Sequence, residues 1–489
     1  MKVFFQPMIM VIMSLILVNI KLKCQIIDYP NPAFYLLSKK YKNDSIRLTY
    51  IEFLKSNIQY HETHDYLWVD SMNNIVPFNE LDYPDFSTSV LKFNIIKKNH
   101  GKLKPIPRKY SDSTTISSTL IEQSINHATK YAGIYNEEII KEYLLPYRTL
   151  NEPTQAWHDK YAHQFKIFHN PENIGKTISN IIDNIKQWFI CTYGIEKKTE
   201  PIPYLGSLQL LHRKKGGCED AANLMTFALR SLGIPCAIDV IPYWGTTSGG
   251  HVLNTAFDFD GKPIHFDALI ESDSLYEMVR EPAKVFRMTY SNNKSSLPNL
   301  ISYYEIPDYG LLKSYNYIDV THEYFKTKEI SYEMPDSLDT SVVYASVFNG
   351  GKWKPVWYST SKNKIIFNNM VPGVVYLPQI FKNGKLSTIG YPKAITKDTI
   401  IEFKPSNEVH TINVKELAGY LSFRTGKVYT LYYYDKKWIK VQRKIPNDGT
   451  KRLIFHKVPK NALLLLKPED SKGKERPFYY SDDGIRYWW

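Results

Sequence analysis

The sequence predicts a multidomain α+β protein: a helical N-terminal region, a core pairing one helix with an antiparallel sheet, and C-terminal β-sandwich modules. Three observations predict it. The chain has 489 residues, more than one hydrophobic core organises, and that length alone suggests about three domains. Apolar residues recur at helical spacing in several stretches up to about residue 189. Beyond a polar run at residues 291–296 they alternate in short stretches between Gly, Asn and Asp turns, which is the period of strands.

Residues 1–24 read as an export signal. Lys2 supplies the positive start, residues 3–20 are mostly apolar, and cleavage fits before Gln25. The expected location is secreted, periplasmic or cell-surface, with acylation at Cys24 or an uncleaved anchor as alternatives. Residues 25–170 make the mainly helical region. Ser45 is placed to cap a helix carrying Tyr50, Ile51, Leu54 and Ile58. The stretch to about Lys109 is less regular, and helical spacing returns at residues 114–131 and 137–145. The clearest helix spans residues 171–189, where Ile174, Ile178, Ile181, Ile182, Ile185 and Phe189 form one apolar stripe. It opens the core, residues 171–290, and β-sandwich modules are expected at residues 300–410 and 411–489. A weak internal repeat supports two modules. Val343-Tyr344 precedes Lys352-Trp353 by the interval at which Val428-Tyr429 precedes Lys437-Trp438. An apolar pair (Ile366-Phe367; Ile454-Phe455) and a Val-Pro (Val371-Pro372; Val458-Pro459) follow each.

The formal net charge is +13, yet the basic residues are scattered. Zinc-finger spacing, a basic helix and an RNA-recognition signature are all missing, so no nucleic-acid partner is expected. The 37 Tyr and 9 Trp favour β-rich sections and amphipathic binding surfaces. Of 4 cysteines, Cys24 is expected to leave with the signal. The remaining Cys191, Cys218 and Cys236 are an odd number for an exported chain, which points to a free thiol with a task or a buried one. A Cys191–Cys236 pair would leave Cys218 alone.

The chemistry concentrates after Gly216-Gly217. Cys218 opens a stretch in which Ala221, Ala222, Met225, Ala228, Leu229 and Leu232 share one helical face, and Gly233 then Pro235 end it. A sulfur in the first turn of a helix meets unpaired N–H groups and the positive end of the dipole, both of which favour an anion. Glu219 and Asp220 oppose that unless their side chains turn away. Downstream, residues 237–240 read as a strand, and His251 opens a hairpin that returns to Asp267. A neutral imidazole takes a thiol proton, and a carboxylate orients the ring and supports its charged form. The catalytic residues expected are therefore Cys218, His251 and Asp267. Register decides whether they meet. A two-residue turn at Asp260-Gly261 would set Asp267 opposite Asn254, about 10 Å along the strand from His251. A longer loop over residues 258–262 would bring it opposite or diagonal to His251, and that loop is the one expected.

Gly217-Cys218, Asp220, Leu229-Arg230, the run Leu232-Gly233-Ile234-Pro235, His251-Val252 and Phe266-Asp267 resemble the transglutaminase-like superfamily, related in fold to papain-type proteases. The resemblance is strong over about residues 206–268, and stretches such as residues 144–152 are similar to regions that precede this core in secreted bacterial multidomain proteins. It implies a papain-like core with Cys218 as nucleophile, His251 as general base and acid, and Asp267 as orienting carboxylate. The backbone N–H of Cys218 would serve the oxyanion, with Gln209, and behind it His212, as candidates for the second donor. The family commonly carries Trp two residues after the His, where this chain has Leu253.

The implied reaction is acyl transfer at an amide carbonyl through a thioester, with hydrolysis leading and transamidation of protein glutamine as the alternative. The partner is then a peptide, protein or amide substrate, with glycan or surface contact through the β modules. A binding protein without catalysis is the rival from another class. No cofactor and no metal site are expected, because CxxC pairs and HExxH spacing are missing. His265 reads as a packing neighbour of Asp267, and Tyr243 and Trp244 as either cleft wall or core.

Overall fold

The computed structural model describes residues 32–192, 204–268, 278, 280–333, 342–360, 364–396, 399–481, 484 and 486–488. The export signal read at residues 1–24 lies outside them. Among the described residues no helix is long and apolar enough to cross a membrane.

The first well-capped helix, α1 (Ser45–Asn57), is capped by Asp44 rather than Ser45: the Asp44 carboxylate accepts from the Arg47 N–H at 2.9 Å. The stretch read as irregular contains an antiparallel pair, β1 (Glu62–Val69) with β2 (Lys104–Ser111). Its alternation is hidden because much of β2 is exposed and carries prolines. The helix expected at residues 114–131 is interrupted, with a single turn at Asp112–Thr115 and then α2 (Ser118–Thr129) capped by Ser117. After α3 (His158–Phe165), the isoleucine stripe forms α4 (Ile174–Trp188). Asn173 caps α4, and Ile174, Ile178, Ile181, Ile182 and Ile185 are buried as the pattern required.

These helices and the core helix share one apolar cluster, in which Ile121, Trp157, Tyr161, Ile181, Leu224 and Ala228 are all buried. A charged pair sits beside it. Arg148 binds Asp112, whose carboxylate also accepts from the Thr63 hydroxyl at 2.8 Å and the Tyr147 hydroxyl at 2.7 Å. Burial alone would raise the Asp112 carboxyl, but the guanidinium outweighs it and holds the group below its ordinary value. Removing one member strands a buried charge, so Asp112→Ala is expected to cost about 3–5 kcal/mol in urea unfolding. Because the folded value is depressed, the contribution is present above the unfolded-state value of about 3.9 and fades as pH falls through the folded one.

The core follows as α5 (Ser207–Arg213), α6 (Cys218–Ser231), β3 (Cys236–Ile241), β4 (His251–Phe257), β5 (Pro263–Phe266), β6 (Phe286–Met288) and β7 (Tyr317–Asp319). The five strands form one antiparallel sheet in the order β7-β6-β3-β4-β5. This sheet therefore draws on residues from both sides of the polar run at residues 291–296. Asn254 on β4 ties it to α6, donating to the Ala222 carbonyl at 3.0 Å and the Thr226 hydroxyl at 2.8 Å.

Beyond a short helix at Thr321–Tyr324 the described elements are all strands, and the internal repeat is visible in their pairing. In the first copy β8 (Lys328–Glu333) pairs with β11 (Lys364–Met370), while β9 (Val343–Asn349) lies between β10 (Lys352–Ser359) and β12 (Val375–Lys382). In the second, β13 (Val409–Lys415) pairs with β16 (Arg452–Pro459), while β14 (Tyr429–Tyr434) lies between β15 (Trp438–Lys444) and β17 (Leu464–Pro468). Register shifts recur in matching hairpins, at Ala345/Ser346 and at Leu431/Tyr432. The repeated tryptophans meet one aromatic pair between the copies: Trp353 packs on Tyr434 and Phe348, and so does Trp438.

Candidate active site

Cys218 is the first residue of α6, and its helix start is built by glycine and acid together. Asp220 turns back so that its Oδ2 accepts from the Gly217 N–H at 2.8 Å. That bond ties one of the two first-turn acids to the backbone just before the cysteine. A β-carbon on Gly216 would lie 2.5 Å from the Asp220 Cβ, so the first glycine is needed for this close approach. A short parallel pair, Ile190–Cys191 against Lys215–Gly216, anchors the approach to the helix.

The hairpin has the longer loop. Pairing runs from Asn254↔Phe266 to Phe257↔Pro263, and the Asp258 N–H donates to the Lys262 carbonyl at 3.0 Å. Between them stand Phe259, Asp260 and Gly261, with Gly261 at φ 79°, the left-handed position that closes a three-residue loop. One further step of this register sets Asp267 beside Leu253, diagonal to His251. Diagonal neighbours on one face are within reach of long side chains. The reach is used: His251 Nε2 and Asp267 Oδ2 are 2.5 Å apart.

Cys218 meets the same ring. Burial works to lower the His251 value, but hydrogen bonding to Asp267 and then to Cys218 outweighs it, raising the group to about 9. The sequence-predicted residues are thus brought together, with Cys218 half-buried and Asp267 buried. The ring also has a neighbour the sequence left open: the Trp244 indole stacks on it, centroids 6.0 Å apart and planes 20° apart. Leu253, where the family commonly has Trp, is buried behind Trp244, so an indole reaches the imidazole from the preceding turn instead.

The remaining candidates have partners of their own. Gln209 is buried, and its Oε1 accepts from Gln155 Nε2 at 2.6 Å, an orientation set by the region before the core. His212 packs edge-on against Phe86. His265 meets the Thr255 hydroxyl at 2.9 Å and Tyr324, as a packing neighbour does. Among the described residues no disulfide joins Cys191, Cys218 or Cys236, so the Cys191–Cys236 pair that an odd count allowed is not formed. Cys236 is buried beside Thr226, and burial pushes its thiol up to about 12.

A cleft of about 820 Å³ adjoins this corner, lined by Glu219 and Asp220 after the cysteine and Val252 after the histidine. Its other walls include His61, Thr149 and Tyr315. The 144–152 stretch singled out in the sequence contributes Thr149, whose hydroxyl donates to the Asn223 side chain of α6 at 2.9 Å.

Residues 171–268 are a transglutaminase-like core. They match the sequence pattern of the transglutaminase-like superfamily, which includes cysteine-protease-like and transglutaminase members. No curated protein matches the chain. Among solved structures, a candidate cysteine protease from Cytophaga hutchinsonii aligns at 15% identity and TM-score 0.20, over 43% of this chain and 57% of that one. Red sea bream transglutaminase aligns at 8% identity and TM-score 0.22, over 86% of this chain and 77% of that one. The chain thus spans little more than half of the first of these proteins, and at such TM-scores neither overlay bears on function. What places the transglutaminase-like core is its sequence pattern, which ends on Ala268, one residue past Asp267.

Proposed function

We propose that the protein is a cysteine-dependent acyl-transfer enzyme that hydrolyses a peptide or amide bond through a thioester. One observation carries the reading: the His251 imidazole is held by Asp267 at 2.5 Å and is also bonded by Cys218 at the start of α6. The Cys218 sulfur, its proton passed to His251, attacks the amide carbonyl carbon. The oxyanion forms at the start of α6, where the Cys218 N–H and the helix dipole favour negative charge. As the carbon–nitrogen bond breaks, His251 returns the proton to the leaving amine. Water then adds to the thioester, with His251 taking its proton, and the carboxylate product leaves the thiol restored. Incubating a panel of peptide amides with the full chain, with and without an added primary amine, tests this by mass spectrometry. A covalent acyl adduct on Cys218 followed by free acid supports hydrolysis, amine adducts would reassign the acceptor, and absence of any adduct or turnover would overturn the enzyme reading.

Asp267→Asn separates the roles. The ring then keeps its burial and loses the carboxylate, so the His251 value is expected to drop by roughly 1–3 units from about 9. The alkaline limb of the rate profile should move to lower pH by the same amount, as should the ring's NMR titration. A limb that stays in place would show that this carboxylate does not govern the histidine.

A further inference from the structure

We propose that Asn349, at the end of β9, is a positioning residue for His251, which makes the first β module part of the catalytic apparatus. This inference rests on the triad reading above. Asn349 is 1% exposed. Its Nδ2 lies within hydrogen-bond distance of three carbonyls, of Trp244 at 3.1 Å, Thr247 at 3.0 Å and Gly249 at 2.8 Å. Its Oδ1 accepts from the Gly249 N–H at 3.2 Å and the Lys354 ammonium at 3.1 Å. All three carbonyls belong to the turn that carries the chain from β3 into His251, and the residue at its head is the indole stacked on the imidazole.

Elsewhere this turn is held on its ends. The Trp244 N–H closes it onto the Gly249 carbonyl at 2.9 Å, and the Gly245 N–H donates to the Glu281 carbonyl at 2.9 Å. It also lies flat on the β module, since a β-carbon on Gly245 would stand 2.3 Å from Val374 Cγ2. The amide has two N–H bonds to share among these carbonyls, and the Gly249 carbonyl also accepts from the Trp244 N–H; without the amide, the Trp244 and Thr247 carbonyls lose this donor. Asn349 therefore selects the turn geometry, and the turn sets where the imidazole and its indole neighbour begin. An apolar residue would fill the space without reading the carbonyl directions.

The test follows alkylation of Cys218 by iodoacetamide in the full chain, across the pH range that spans the His251 titration. Asn349→Ala and Asn349→Asp are expected to slow the His251-dependent rate roughly 10- to 100-fold and shift its pH profile toward that of His251→Ala. Tyr332→Phe removes a hydroxyl bond to the Tyr376 carbonyl in the same module; it should lower stability and leave rate and profile unchanged. Gly245→Ala attacks the clamp from the other side, and adding Val374→Ala should recover most of its loss. If Asn349→Ala does not fold, this second pair decides the matter. Folded variants that alkylate at the wild-type rate and profile overturn the proposal alone. If wild type and His251→Ala already alkylate alike, the triad reading falls, and the proposal with it.

Discussion

Cys218→Ala is expected to abolish amide turnover, with a loss of about 10^4- to 10^6-fold, because a residue acting as part of a unit takes the whole unit with it. No acyl adduct should then form anywhere on the chain. The other described thiols provide the contrast. Cys236 is buried, with its thiol pushed up to about 12, so Cys236→Ser should leave turnover intact and only reduce stability. His251→Ala should cost about 10^2- to 10^4-fold, the usual range for a general acid–base. Wild-type rates should decline above about pH 9, where His251 loses its proton. The same raised value bears on stability with a definite sign: the His251 contribution is fully present below its unfolded value of about 6.5 and is lost as pH rises through about 9. Steady-state rates against pH, with thermal unfolding at matching pH values, check both. Turnover that survives Cys218→Ala would move the chemistry to another group.

Truncation after Asp319 is expected to destroy the core rather than release it. Ala283, Phe286 and Tyr317, which precede the cut, are buried in one apolar cluster with Ile330, Val343, Phe367 and Tyr376, which follow it. Exposing Phe286 and Tyr317 alone costs about 3–6 kcal/mol, a large share of a usual domain's stability. Lys284 would fare worse. Its ammonium donates to Asp319 at 2.6 Å and to the Asn368 and Asn369 carbonyls at 2.8 and 2.9 Å, and the cut removes both carbonyls. The truncated chain should therefore be recovered insoluble or without a cooperative transition. Ending the chain after Ser406 instead keeps β8 to β12 and Asn349. That product should unfold cooperatively at a lower Tm and retain His251-dependent alkylation of Cys218. A soluble, active fragment ending at Asp319 would show that the β structure only docks the enzyme.

The two expectations read from local pattern fared differently for physical reasons. The helix of residues 171–189 was legible because six apolar side chains at helical spacing have one way to be buried together. The cap of α1 was not, since Asp44 and Ser45 are both good caps and only the Asp44–Arg47 hydrogen bond chooses between them. The pair β1–β2 escaped notice because an exposed, proline-bearing strand shows no alternation. Asn349 gave no signal, being an ordinary polar residue at a strand end whose partners stand about a hundred positions away along the chain.

By itself the sequence determined which chemistry is available: a cysteine at a helix start after two glycines, a histidine at a strand start, and an aspartate at the return of a hairpin whose register had to be longer than a two-residue turn. These are local properties, set by residue type and spacing. The tertiary structure alone decided that the thiol and the imidazole meet, that Trp244 rather than a residue on the strand flanks the ring, and that a β module grips the turn before it. Those contacts join positions distant in the chain, and they exist only because burial of apolar surface on α6 and on the two sheets brings the segments together.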